Sequence, residues 1–264
     1  MIHRRIRHGG PGIVLALLLV GAVLPLAAQD DGDLSIIAPL AGGSLLLDGA
    51  ARDGLVVAVG ERGHLLVSRD QGRTWDQKQV PTTSLLTAVY LHDGLSGWAV
   101  GHDAVILRTL DGGETWERVH YAPEEERPLL DVWFRDESHG FAIGAYGFFL
   151  ATEDGGDTWT PREIATVEEE EDDFYGGGFD YHLNHLADSG NRRLFIAAEA
   201  GTVYRSEDAG ESWLSLPSPY EGSFFGSLPL GGDTLLLFGL RGHLYRSDDA
   251  GETWTLLETS TTAM

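Results

Sequence analysis

Thr109-Leu110-Asp111-Gly112-Gly113-Glu114-Thr115-Trp116 is an eight-residue phrase that the chain writes five times. The other copies run from Ser68 to Trp75, Thr152 to Trp159, Ser206 to Trp213 and Ser247 to Trp254, all on the pattern Ser/Thr-x-Asp-x-Gly-x-Ser/Thr-Trp. Their aspartates, Asp70, Asp111, Asp154, Asp208 and Asp249, stand 41, 43, 54 and 41 residues apart. The phrase carries its own turn chemistry. An Asp carboxylate accepts hydrogen bonds from backbone N–H groups just ahead of it, and Gly supplies a positive φ without steric cost. The leading hydroxyl closes the turn from the other side, and the Trp ring packs under the hairpin, where its indole N–H finds a partner. Asp-x-Gly also suggests a calcium loop, but the alternating oxygen ligands and the distal Glu are missing. The pairs Asp70 and Trp75, Asp111 and Trp116, Asp154 and Trp159, Asp208 and Trp213, and Asp249 and Trp254 are therefore assigned to the fold.

Ahead of each phrase stand three short apolar runs separated by turns. In the second repeat these are 86–91, 97–101 and 105–109, and Trp116 opens a fourth run that ends near His120. The first repeat has 45–47, 55–60 and 64–68, the third 130–134, 141–144 and 148–152, the fourth 183–186, 194–198 and 202–206, and the fifth 224–230, 235–239 and 243–247. Four short strands recurring at a period near forty predict an all-β fold, a β-propeller of four-stranded antiparallel blades with five blades visible. The blades fall at about 44–80, 85–120, 129–164, 182–217 and 223–258, within one domain spanning 29–264. The second run of each repeat, such as Trp98-Ala99-Val100-Gly101, is apolar and small, as strands covered on both faces near a propeller axis require. Leu34 to Pro39 is similar to a fourth strand, but the fifth repeat has its own at Trp254 to Glu258; either the ring closes with five blades and the early strand adds to an edge, or the chain is a shorter, open or truncated relative.

Residues 1–28 read differently. Arg4, Arg5 and Arg7, an apolar run from Ile13 to Leu26 and the exit Ala27-Ala28 predict a secretory signal peptide, with an uncleaved membrane anchor as the rival. Export to a periplasmic, lumenal or extracellular space is the expectation. The net charge is −23, and the head holds three of the eighteen basic residues and none of the acidic ones. So acidic a surface repels nucleic acid and anionic lipid, and suits a basic partner or none. There is no cysteine, so stability rests on core burial.

The phrase resembles the Asp-box, or bacterial neuraminidase repeat. Its setting in Gly97-Trp98-Ala99-Val100-Gly101 and Asp111 to Trp116 resembles the photosystem II stability/assembly factor family of propellers, over roughly residues 44–258. The resemblance implies seven blades, where five phrases are visible here. It also implies a non-enzymatic scaffold that assists assembly or stability of a membrane or envelope protein complex, with a protein partner and no cofactor. A divergent sialidase-like glycoside hydrolase is the alternative. Sialidases need clustered arginines and a Tyr nucleophile with an acidic partner, whereas the arginines here are scattered and no Arg-Ile-Pro motif is present.

Propeller geometry puts the turns after strands one and three on one face, and the turns after strand two, with the blade-to-blade connections, on the other. The Asp phrases take the first face. The second receives the long 164–181 insertion, with Glu168, Asp172, Phe174, Tyr175, Phe179 and Tyr181, in which acidic residues steer a basic ligand and aromatic rings anchor it. As a plain charge run, the same stretch is only solvated. The strand two–three turns add Arg62, Asp103, Tyr146 and Arg241. These ring the channel mouth as a partner-binding face or are duplicated turn residues. His182 and His185 are separated by three residues at a strand start, which points them to opposite sides. Asp103, Tyr146 and Glu199 would have to meet in one pocket for glycosidase chemistry.

Overall fold

The computed structural model describes residues 34–164 and 181–259. The expected signal peptide at 1–28, and Glu168, Asp172, Phe174, Tyr175 and Phe179 of the insertion, lie outside the described residues.

Each repeat folds as one four-stranded antiparallel sheet with its strands in sequence order. Blade 1 contains β1 (Leu46–Arg52), β2 (Leu55–Gly60), β3 (Leu65–Ser68) and β4 (Asp76–Lys78). Blade 2 contains β5 (Leu86–Leu91), β6 (Gly97–Gly101), β7 (Ile106–Thr109) and β8 (Glu117–His120). Blade 3 contains β9 (Leu129–Phe134), β10 (Gly140–Gly144), β11 (Phe149–Thr152) and β12 (Thr160–Pro161). Blade 4 contains β13 (Leu183–Asp188), β14 (Leu194–Ala198), β15 (Val203–Ser206) and β16 (Leu214–Ser215). Blade 5 contains β17 (Phe224–Gly231), β18 (Thr234–Gly239), β19 (Leu244–Ser247) and β20 (Thr255–Leu256). The largest boundary miss is β1, expected at 45–47. It continues through Asp48-Gly49-Ala50-Ala51, whose backbone pairs with Val56–Val59 although its composition is not that of a strand.

One glycine position sets the inner end of the blade. Gly60, Gly101, Gly144 and Gly239 end the second strand, opposite a register shift at the start of the first. A Cβ at Gly60 or Gly101 would sit 2.1 Å from the carbonyl oxygen of Leu45 or Leu85, so no side chain fits.

The core is four apolar layers, each between successive blades. Val57, Val59 and Leu65 of blade 1 pack on Leu86, Val89 and Trp116 of blade 2. Trp98 and Ile106 pack on Phe134 and Trp159; Phe141 and Phe149 on Leu194 and Trp213; Phe195 and Val203 on Phe224 and Tyr245. Five blades in a closed ring would have a fifth layer. Among the described residues there is none, and the sheets form an open arc. The second strand is fully buried in blades 2, 3 and 4 but only partly so in blades 1 and 5, which corrects the expectation of burial in every blade.

The same opening corrects the reading of the tryptophans. Trp116, Trp159 and Trp213 are 6, 9 and 1% exposed because each ring is covered by the blade before it, whereas Trp75 is 42% exposed because no blade among the described residues covers it. Its own hairpin does not bury it. Indole partners also differ from expectation: Trp75 Nε1 donates to Gly72 O and Trp254 Nε1 to Pro217 O, while those of Trp116, Trp159 and Trp213 are buried without an acceptor. Leu34 to Pro39 is not a strand of the last blade. It runs beside β4, with Ser35 N donating to Val80 O, Val80 N to Ser35 Oγ, and Ala38 N to Gln77 Oε1.

Candidate partner-binding face

The Asp hairpins behave as folding devices. In all five, the leading hydroxyl donates to Asp Oδ1 at 2.7–2.9 Å and accepts the N–H of the Gly, which has φ between 79° and 91°. The second Ser or Thr donates its N–H and its hydroxyl to the same carboxylate. Donation by the Thr158 and Thr253 hydroxyls and amides holds Asp154 and Asp249 down at about 2. Partial burial opposes ionisation of Asp208, but donors from Ser212 and Ser206 outweigh it and its value is also about 2. These carboxylates are ionised and their acceptor positions are filled from within the hairpin, so little is left for a ligand.

The opposite face is built from the strand two–three turns and the blade connections, which bond to one another. Gly63 N donates to Ser84 O, Ala122 N to Asp103 O, and Gly147 N to Tyr181 O. In all five of these turns the middle residue is left-handed without being glycine: Arg62 at φ 58°, Asp103 at 59°, Tyr146 at 54°, Ala200 at 52° and Arg241 at 61°. That conformation costs roughly 1 kcal/mol or more for a residue with a Cβ.

Side chains at these apices divide into pairs. Asp103 accepts from Ser84 Oγ at 2.5 Å. Tyr146, 54% exposed, meets the His182 ring edge-on at 4.7 Å, and His182 donates its N–H to Glu199 Oε2 at 3.1 Å with Nδ1 3.4 Å from Oε1. Next to Arg241, the Tyr220 ring lies 4.2 Å from that of His243. Arg62 and Arg241 are both exposed but stand on the two terminal blades, which do not pack together among the described residues. Two of the three groups required of a glycosidase, Tyr146 and Glu199, thus converge on His182, and Asp103 is engaged elsewhere. His182 and His185 meet different partners, His182 at Glu199 and His185 at Asp131 and Ser227 N, and no group of three metal-ligating side chains gathers among the described residues.

Two features had no clear sequence signal. Asp131, on β9, is pushed up to about 6 by burial, against the opposing influence of His185 4.0 Å away and amide donation from Leu186 and Val132. A cleft of about 30 Å³ lies between blades 3 and 4 on the hairpin face, bounded by Trp133, Arg135, Phe141, Arg162 and Glu211, and it holds none of the candidate residues. It exists where Ala151 occupies the repeat position that Arg108 and Arg205 fill in blades 2 and 4. Only a comparison of corresponding repeat positions would have flagged it.

Successive four-stranded antiparallel blades around an inner strand define a β-propeller. A fungal β-propeller domain, that of Cps50 (Swd1) from Myceliophteria thermophila, superposes with a TM-score of 0.62 at 8% identity, over 85% of this chain and 74% of that one. The GH74 xyloglucanase of Xanthomonas campestris does so with 0.58 at 19% identity, over 79% and 37%. At such identities the likeness is one of fold alone. The chain belongs to the family described as photosynthesis system II assembly factor YCF48, whose sequence model matches residues 44–125 and 121–263. A curated relative is the chloroplastic photosystem II stability/assembly factor HCF136 of Arabidopsis thaliana, 36% identical over 66 residues, 23% of this chain and 16% of the relative. The chain thus matches under a fifth of that relative's length. A solved YCF48 bound to a D1 peptide is 20% identical over 80% of this chain and 81% of that one, with a TM-score of 0.47. No helix among the described residues is long and apolar enough to cross a membrane.

Proposed function

We propose that this chain is an exported, non-catalytic scaffold that holds a segment of a membrane or envelope protein while its complex is assembled or stabilised. The family match across 44–263 carries the reading. Chemistry on the face opposite the Asp hairpins supports it. Arg62, Asp103, Tyr146 and Arg241 stand in left-handed turns, and Tyr181, whose carbonyl accepts from Gly147 N at one of them, follows directly on the stretch of sequence that carries Glu168, Asp172, Phe174, Tyr175 and Phe179. Alternating charge with exposed aromatic rings suits an extended peptide, whose backbone takes hydrogen bonds from arginine and whose apolar side chains stack on tyrosine. In the solved YCF48 the bound molecule is a D1 peptide, so a peptide segment of a membrane protein is the ligand class to test first.

The reading requires no reaction. Glu199 is occupied on both oxygens by His182, and the hairpin carboxylates are satisfied internally. The test is crosslinking and co-purification of the tagged chain from membranes of its native host, beside a variant carrying Arg62→Glu, Tyr146→Ala and Arg241→Glu. The expected result is a membrane protein crosslinked to the wild type and lost from the variant at unchanged thermal stability. Equal capture by both would remove this face from the proposal, and reproducible release of aglycone from aryl glycosides would refute its non-catalytic part.

A further inference from the structure

At each of the four blade junctions, a cation of one blade reaches into the Asp hairpin of the next. Arg69 donates to Gly112 O at 2.7 Å and, with Lys78, clasps Glu114. Arg108 donates to Gly155 O at 3.0 Å and pairs with Asp157 at 2.7 Å. Arg162 pairs with Glu211 at 2.7 Å, and Arg205 donates to Ala250 O at 2.8 Å and pairs with Glu252 at 2.9 Å. All four acids, Glu114, Asp157, Glu211 and Glu252, occupy one place in the phrase, directly after its glycine. The junction therefore has a rule: apolar strands two and three, a cation from the leading blade, and an acid after the hairpin glycine of the following blade.

Blade 5 carries the leading half of this rule, and among the described residues no hairpin stands against it. Arg246 holds the position of Arg108 and Arg205, but its side chain is 45% exposed and folds back on Asp248 of its own blade. Around it Leu228 and Phe238 are 52 and 41% exposed. Phe238 aligns with Val59, Val100, Ile143 and Ala197, each fully buried in an inner junction. Blade 1 carries a faulty following half. Where the acid belongs, it has Arg73, beside the exposed Trp75 and the groove along Ala51–Val56 and Gln71. Setting blade 5 against blade 1, in one molecule or between two, would oppose Arg246 with Arg73 at a site where four other junctions place an ion pair.

We infer that the outer face of blade 5 is a docking surface for one further β-blade, other than this chain's own first, whose hairpin between its third and fourth strands presents a carboxylate to Arg246. Arg73 keeps this chain's own first blade from taking that place. Such a head-to-tail contact between copies would be heterologous and would build rings or open chains of molecules, which gives the mismatch a purpose.

The inference does not depend on the peptide-binding face, and its test leaves that face untouched. In Arg73→Glu the full-length chain itself becomes the probe, an acidic blade supplied by a second copy. The wild type is expected to sediment as a monomer. Arg73→Glu is expected to associate with rising concentration to at least twice the monomer mass, with slowed amide exchange across β18 and β19. Arg73→Glu combined with Arg246→Glu is expected to return to the monomer. Circular dichroism and melting confirm folding of each variant. Self-association of the wild type through blade 5 would overturn the inference, since the occupant would then be a second copy. A folded Arg73→Glu protein that stays monomeric, or one whose association survives Arg246→Glu, would overturn it equally.

Discussion

Trp213 and Trp75 hold the same place in the same phrase, yet one is 1% exposed and the other 42%. Their hairpins are alike down to individual hydrogen bonds: Ser68 and Ser206 both donate to the Asp, and Gly72 and Gly210 both donate to the serine hydroxyl. The difference lies outside the phrase, in whether a preceding blade covers the ring. Sequence repetition thus specifies the blade, and position in the arc decides what the blade's residues are worth.

Tryptophan truncation should separate the two regions most. Trp213→Ala removes a ring packed on Phe149 and is expected to cost about 3–5 kcal/mol in denaturant unfolding. Trp75→Ala is expected to cost under about 1 kcal/mol. Similar losses at both sites would show that Trp75 is covered in solution.

Acid titration should divide the inner strands from the hairpins. Asp131 binds its proton more tightly when folded, so the folded chain holds more protons than the unfolded chain between about 4 and 6, and stability falls as pH rises through that window. The loss is at most about 3 kcal/mol, taking 1.36 kcal/mol for each unit of displacement. Asp131→Asn should flatten the window in pH-dependent melts, and an unchanged slope would show that Asp131 is hydrated. Asp208 has the opposite sign. Its depressed value gives stability that is present above about 4 and fades as pH falls toward about 2, worth about 1 kcal/mol after solvent screening. Asp208→Asn should remove that acid limb.

The smallest contrast lies in the arginines. Arg205→Ala breaks a partly buried clamp on Ala250 and Glu252 and should cost about 1–2 kcal/mol, while Arg246→Ala should leave the melting temperature unchanged. Equal losses would mean that Arg246 is already engaged.

Strand order, blade spacing and the placing of the hairpins away from the irregular loops were legible in the sequence. The five phrases fix one turn each, and the small apolar second runs mark the strands that are buried in blades 2, 3 and 4. Arg62, Asp103, Tyr146 and Arg241 were singled out because they stand at corresponding turns, which the structure places at positive φ. What could not be read concerns relations between blades. Whether Phe238 is a core residue like Val100 depends on a neighbouring sheet that no local pattern encodes, and Ala38 bonds to Gln77 through a side chain rather than a strand ladder. The meeting of Tyr146 with His182 and Glu199 joins two blades across the insertion, and Asp131 is displaced by burial that only the assembled inner strands create.

An arc has ends, and this bears on how the chain unfolds. Blades 2, 3 and 4 are each held by two apolar layers, blades 1 and 5 by one. In an array stabilised by nearest neighbours, stability is a sum of unit and junction energies, and opening starts at the termini. A closed ring has to break two junctions before any blade is released. Here the last blade needs only one, so amide exchange in blade 5 should report a lower opening energy than in blade 3, and the terminal blade can yield before the protein unfolds.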